Sequence, residues 1–281
     1  MRAEDAPGPT LVVRGEQLAL GAPAELAALR GALRATPYAG INKIALYGPS
    51  RRTGADLDYR FVQALPAGRF DFRTGCGHSL LACVVAAAGP ARPVTVRALT
   101  TGDTVRCVPR PGAYDLDFLR PPDAPGTLPT GRPADLVDGV PVSLVRYGNP
   151  YVLVDARHVR VPEHRLRPRL LEIRAHAGRL LGHPPHSPLP KIAVFRPTPD
   201  GLSVRALTVG GWHPRLALTG AAALAAAGAI DGTVVPGPVT RILTPGGPVT
   251  VSVAAGRVRV HHKRAHVLDR LHLPWRIHAT A

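Results

Sequence analysis

The sequence is poor in aromatic residues, cysteine and lysine, and each scarcity narrows what the chain can do. Aromatics make up 5% of its 281 residues, too few to build the stacking platforms on which single-stranded nucleic acids are held. Cys76, Cys83 and Cys107 are odd in number and lack a framework spacing, so a disulfide-stapled secreted domain is not expected and the thiols read as free. No apolar run approaches the roughly 18 residues of a membrane span. The opening Met1-Arg2-Ala3-Glu4-Asp5-Ala6-Pro7 carries charge and proline where a signal peptide has an apolar core. A soluble, cytoplasmic protein is the expectation. No Gly-rich phosphate loop of the Walker or dinucleotide kind occurs. The pairs His183/His186 and His261/His262 lack further ligands at metal spacing. Neither a metal nor an organic cofactor is therefore expected.

What is present is positive charge: 35 Lys plus Arg against 19 Asp plus Glu, a formal net charge of +16. Its arginines run from Arg2 to Arg276, and the densest stretch, Arg157 to Arg174, contains no interleaved aromatics. Spread this way, the charge suits small anionic substrates better than nucleic acid or a membrane surface. With 45% hydrophobic and 19% charged residues, the composition is globular despite abundant Gly and Pro. Its length accommodates two lobes, each with its own core. The oligomeric state is left open, a homodimer being one option.

Two segments echo one another. Lys43-Ile-Ala-Leu-Tyr-Gly-Pro-Ser50 is answered by Lys191-Ile-Ala-Val-Phe-Arg-Pro-Thr198, and Cys76-Gly-His-Ser-Leu-Leu-Ala82 by Thr219-Gly-Ala-Ala-Ala-Leu-Ala225. Between them Leu57 and Arg60 match Leu202 and Arg205. Order and spacing agree, so the chain reads as two halves built on one plan. The Lys-Ile-Ala segments read as buried strands ended by proline. Ser79–Ala88 and Ala221–Ile230 are apolar almost all round, as enclosed helices are. The Val-rich stretches 94–108, 140–154 and 249–260 read as strands. Two pseudo-symmetric α+β lobes follow, each a curled sheet or barrel around a central apolar helix, spanning 1–155 and 156–281, with the chain end able to cross back to the first lobe. Pro109–Pro133 reads as surface loops and the start of the crossover, and the Pro- and His-rich stretch 155–190 as the boundary.

Thr74-Gly75-Cys76-Gly77 places a thiol at the entry of the first enclosed helix, where unpaired amides favour a thiolate, a carboxylate or a developing oxyanion. Cys83 and Cys107 read as core. The lysines are confined to Lys43, Lys191 and Lys263, and a lysine, unlike arginine, can lose its proton when partly buried. Two lysines at equivalent places suggest a need that arginine cannot meet. Thr219, standing where the second half would carry Cys76, is a poor base.

Taken together, Asn42-Lys43-Ile44-Ala45 with Gly48-Pro49-Ser50, Asp56-Leu57-Asp58-Tyr59, Gly75-Cys76-Gly77, Leu128-Pro129-Thr130-Gly131 with Asp135, Asn149-Pro150, His213, Leu218-Thr219-Gly220-Ala221 and Asp231-Gly232-Thr233 resemble the 2-methylaconitate cis-trans isomerase family and the related 4-oxalomesaconate tautomerases. These lie within the diaminopimelate epimerase-like superfamily. The resemblance covers about Lys43 to Val235. It implies that Lys43 and Cys76 share the acid and base roles without a cofactor. It further implies that Gly77, His78, Ser79, Ser50, His213, Thr219, Gly220 and Ala221 bind the substrate, with the two helix N-termini holding its carboxylates across the cleft between lobes. Of the family's opening Arg-Gly-Gly-Thr-Ser-Lys-Gly only Arg14-Gly15 remains, before Glu16-Gln17-Leu18; His78 replaces the usual Asn, and Arg146 stands where an acid is common. The resemblance implies a double-bond isomerase with an altered substrate. A racemase or epimerase, and a non-catalytic binder of anions or nucleic acid, are the alternatives.

Overall fold

The Lys-Ile-Ala segments form strands because they are short, apolar and able to bury both faces, which only the middle of a sheet provides. The computed structural model describes residues 1–15, 22–88, 92–208 and 211–271; the expectation about Glu16-Gln17-Leu18 lies outside them. The chain separates into two compact units, Met1–Tyr114 with the chain end from Lys263, and Asp115–His262.

In the first unit, β2 (Leu11–Arg14), β3 (Lys43–Pro49), β4 (Leu57–Ala64), β6 (Val94–Ala98) and β7 (Thr104–Arg110) lie side by side in that order, and β5 (Phe70–Asp71) pairs with β4. A separate ribbon joins β1 (Arg2–Ala3) to β18 (Ala265–His266), with Arg2 opposite His266. The first helix, α1 (Pro23–Leu33), opens on a proline and buries Leu26, Leu29 and Leu33 on one stripe. Leu26 and Leu29 pack on Val13, Ile44, Leu46 and Val62. The second, α2 (Gly77–Ala88), touches β1, β2, β3, β4, β6 and β18. It is the enclosed helix.

The second unit repeats this order of elements. β11 (Asn149–Asp155), β12 (Lys191–Thr198), β13 (Gly201–Thr208), β15 (Arg241–Thr244) and β16 (Gly247–Ala254) are adjacent, and β14 (Gly211–Trp212) pairs with β13. As β2 runs parallel to β3, so β11 runs parallel to β12. The register pair Pro49 and Leu57 has its counterpart in Pro197 and Leu202. Leu57 also pairs in parallel with Val96, and Leu202 likewise with Ile242. Helix α3 (Glu163–Leu180) covers one face through Leu170, Ile173 and Ala177. Helix α4 (Leu218–Gly228) is buried along its whole length. Its small side chains are what let a sheet close round it.

The strands expected at 94–108, 140–154 and 249–260 are present as β6–β7, as β10 (Val140–Tyr147) with β11, and as β16 with β17 (Arg257–Lys263). One expectation is corrected. Pro109–Pro133 is not loop throughout, because it contains β8 (Ala113–Phe118), buried at every position. Its two aspartates hid it, and both have basic partners on β17, Asp115 at His261 and Asp117 at Arg259. The chain passes from the first unit to the second within β8, between Tyr114 and Asp115. The Pro- and His-rich stretch 155–190 holds α3.

A Cβ at Gly228, the last residue of α4, would sit 2.3 Å from the Gly237 carbonyl oxygen and 2.8 Å from Val239 Cγ2, whereas one at Gly31 in α1 would meet nothing within 4 Å. Gly228→Ala is expected to lower the unfolding free energy by about 1–3 kcal/mol through overpacking. Gly31→Ala is expected to raise it by up to about 1 kcal/mol through helix propensity. Urea denaturation of both variants checks the pair.

Candidate active site

Burial and a strand end together place Lys43. It is the first residue of β3, opposite Gln63, only 8% exposed, and its Nζ donates to the Gly8 carbonyl at 3.2 Å. Burial pushes its ammonium pKa down; the nearby Cys76 pulls it back up, and the Arg2 guanidinium pushes it down again. A lysine so placed gives up its proton more easily than one in water.

Cys76 sits at the N-cap of α2, where its carbonyl accepts both the first helical amide, from Leu80 at 3.0 Å, and the Tyr59 hydroxyl at 2.8 Å. The chain is turned into this position by buried Asp71, whose carboxylate accepts from the Thr74 amide at 3.2 Å and the Thr74 hydroxyl at 2.9 Å. The thiol is half-buried. Behind it the wholly buried Ser79 shares a hydrogen bond of 2.9 Å with the Thr10 hydroxyl and a further one with Tyr59. Burial first, and then Cys76 and Cys83, hold the Tyr59 phenol pKa well above its usual value. Tyr59 is accordingly a fixed donor. Gly77, His78 and Ser79 occupy the first turn, whose amides have no acceptor within the helix. Lys43, Cys76, Gly77, His78 and Ser79 are thus gathered at one place.

Ser50 is not with them. It ends the hairpin at the opposite end of β3, seven residues from Lys43, or roughly 23 Å at strand rise. Its hydroxyl donates to Asp58 at 2.8 Å and accepts the Arg52 amide at 3.1 Å. Asp58 in turn is clamped by Arg97 at 2.8 and 2.6 Å. Ser50 shapes a turn at that end of the strand.

In the second unit Thr219, Gly220 and Ala221 form the first turn of α4. The Gly220 and Ala221 amides both donate to the Ala217 carbonyl, at 2.8 and 3.1 Å, and are taken up within the helix start. Gly220 is needed for packing, since a Cβ there would lie 2.8 Å from the Tyr151 hydroxyl. The Thr219 hydroxyl accepts from buried Asn149 at 3.3 Å. Gly148, at a φ of +79°, would put a Cβ 2.6 Å from Thr219 Cγ2. His213 is buried, and its Nδ1 accepts the Arg215 amide at 3.0 Å, which fixes the neutral ring's hydrogen on Nε2. Lys191 begins β12 opposite Tyr151, as Lys43 begins β3.

Reading the sequence alone assigned no role to Tyr59, Thr10, Asp71 or Asn149. Tyr59 and Asn149 lie within the motifs that carry the resemblance and could have been picked out there. Thr10 and Asp71 carry no local signal. Cys83 and Cys107 are buried, as expected of core thiols. Among the described residues no group of three or more His, Cys, Asp or Glu is arranged to hold a metal ion. Among the described residues no helix is long and apolar enough to cross a membrane.

No protein-family model matches the chain. It is 26% identical over 266 residues to the candidate isomerase YbhH of Escherichia coli K12, covering 79% of this chain and 73% of that protein. It is 28% identical over 241 residues to the 4-oxalomesaconate tautomerase of Pseudomonas putida, covering 70% and 67% respectively. A crystal structure of a methylitaconate-delta-isomerase superposes with a TM-score of 0.64 at 21% identity, over 94% of this chain and 91% of the other. The fold is the diaminopimelate epimerase-like one.

The depressed native pKa of Lys43 has a thermodynamic sign. Between that lowered value and the usual 10.5 the unfolded chain binds more protons than the native one, so stability rises with pH across this window. Lys43→Met removes a buried cation. It is expected to raise the unfolding free energy near neutral pH by about 1 kcal/mol and to flatten the rise above it. Chemical denaturation at several pH values measures both effects.

Proposed function

As a divergent relative of the 4-oxalomesaconate tautomerases with the diaminopimelate epimerase-like fold, this chain, we propose, is a cofactor-independent isomerase that moves a C=C bond in a small unsaturated carboxylate by allylic proton transfer. The observation that carries the reading is buried Lys43, its pKa pushed down by burial, within electrostatic reach of Cys76 at the start of α2. One of the pair removes the allylic proton, and the electron pair moves into the conjugated carboxylate or carbonyl. The other returns a proton at the far carbon of the allyl system. The amides of the first turn of α2 supply the donors that stabilise the developing negative charge. The net charge of +16 favours an anionic substrate.

Thr219 stands at the second helix start, held by Asn149. A racemase working from both faces of one carbon needs a second acid/base group, which a threonine hydroxyl does not supply. This favours the double-bond isomerase. The matching order of elements in the two units supports an internal duplication in which the first copy alone carries the thiol. A cytoplasmic location belongs to the same reading, since three free cysteines suit a reducing compartment.

The test is proton-exchange NMR in heavy water with aconitates, methylaconitates and related unsaturated di- and tricarboxylates. The wild type is expected to move the double bond or to place deuterium at the allylic carbon. Cys76→Ser and Lys43→Gln should each lower that rate by about 10²–10⁴-fold. Equal exchange by wild type and both variants would rule the assignment out. Ser50→Ala should leave kcat/KM within about twofold of wild type, since its hydroxyl serves the hairpin.

A further inference from the structure

The second unit carries a constellation that proton transfer at Cys76 does not use. On β16 and β17 the residues Ser252 and Arg259 are direct cross-strand partners, and His261 lies two positions beyond Arg259, on the same face of the sheet. Its Nε2 is 2.8 Å from Ser252 Oγ, and its Nδ1 is 3.4 Å from the carboxylate of Asp115 on neighbouring β8. Asp115 is 3% exposed, while the His261 side chain keeps 20% of its surface open to solvent. The buried carboxylate has a second donor, the His262 amide at 3.2 Å. His262 has a φ of +54°, unusual for a residue with a side chain. Backbone departures of this kind persist where the surroundings enforce them, and here the departure accompanies an amide aimed at Asp115.

We propose that Asp115, His261 and Ser252 form a second, nucleophilic centre that accepts acyl or phosphonyl groups from small activated esters. With Nδ1–H directed at Asp115, Nε2 is free to accept the Ser252 hydroxyl hydrogen, the arrangement that activates a serine. Ser252 Oγ bonds to the ester carbonyl carbon as its proton passes to His261 Nε2. The carbon–oxygen bond to the leaving group then breaks, and that oxygen takes the proton from Nε2. Water, deprotonated by the same nitrogen, then cleaves the acyl-serine and regenerates the hydroxyl. Arg259, opposite Ser252 and held by Asp117 through Nε and Nη2, places a fixed positive charge beside the developing oxyanion. Burial lowers the His261 pKa; Asp115 counters it, while Arg259 and His262 add to it. The ring is therefore neutral and able to act as base at pH 7.

The experiment is labelling of the full chain with a fluorophosphonate probe, followed by peptide mass spectrometry and by p-nitrophenyl acetate hydrolysis measured in a Cys76→Ser background. The expected result is a phosphonylated Ser252 and an ester hydrolysis rate that falls at least about a hundredfold in Ser252→Ala and in His261→Gln. Circular dichroism verifies that both variants are folded. Labelling at another residue, or equal hydrolysis by folded Ser252→Ala, overturns the proposal, as does a wild type that takes up no probe.

Discussion

Enclosing a helix within its own sheet is the constraint on which the rest of this structure depends. Such a helix has no solvent-facing stripe, so every side chain must be apolar or small. In α4 all residues from Leu218 to Gly228 are buried, and seven of them are alanine or glycine after the first three positions. Tight closure then leaves no room for even a methyl group at Gly220 or Gly228. The exposed polar groups of such a helix are concentrated at its ends. Its first turn becomes the natural place for anion chemistry, and there the amides act in a medium less polar than water.

The two helix starts solve this differently. At α2 the N-cap is Cys76, whose carbonyl is taken by Leu80 and Tyr59 while its side chain stays half-buried and reachable. At α4 the Ala217 carbonyl gathers two amides, and Thr219 is tied to Asn149. One start presents a titratable group next to a lysine whose burial disfavours its charge. The other presents a hydroxyl that stays neutral. The difference is chemical and lies in a few side chains, since the surrounding order of strands and helices is the same.

Much of this was legible in the sequence, because enclosed helices and fully buried strands leave strong local signatures. Uninterrupted apolar runs, the rarity of lysine and the Gly-flanked Cys76 all pointed to α2, α4, β3 and β12 without any knowledge of contacts. Strand β8 was missed because Asp115 and Asp117 break its apolar pattern, and their partners lie more than 140 residues away. The separation of Ser50 from Lys43 was not legible, because seven positions apart in sequence become roughly 23 Å along an extended strand. The resemblance offered Gly220 and Ala221 as ligand-binding residues. A shift in which carbonyl receives the first amides, invisible in sequence, commits them to the helix. Thr10 was beyond reach for a related reason, since only the folded chain brings its hydroxyl to Ser79, 69 residues away.

The short ribbon between β1 and β18, in which Arg2 faces His266 and Ala3 faces Ala265, has a consequence for synthesis on the ribosome. Residues 115–262 form a unit whose segments follow one another in the sequence without interruption. The first unit, although most of its sequence emerges earlier, lacks a strand that touches α2 until residue 266 has left the exit tunnel. The N-terminal part must therefore wait, partly assembled and with apolar surface uncovered, for its closing strand. Nascent chains of this protein should depend on chaperones through their earliest-made segment more than through their latest.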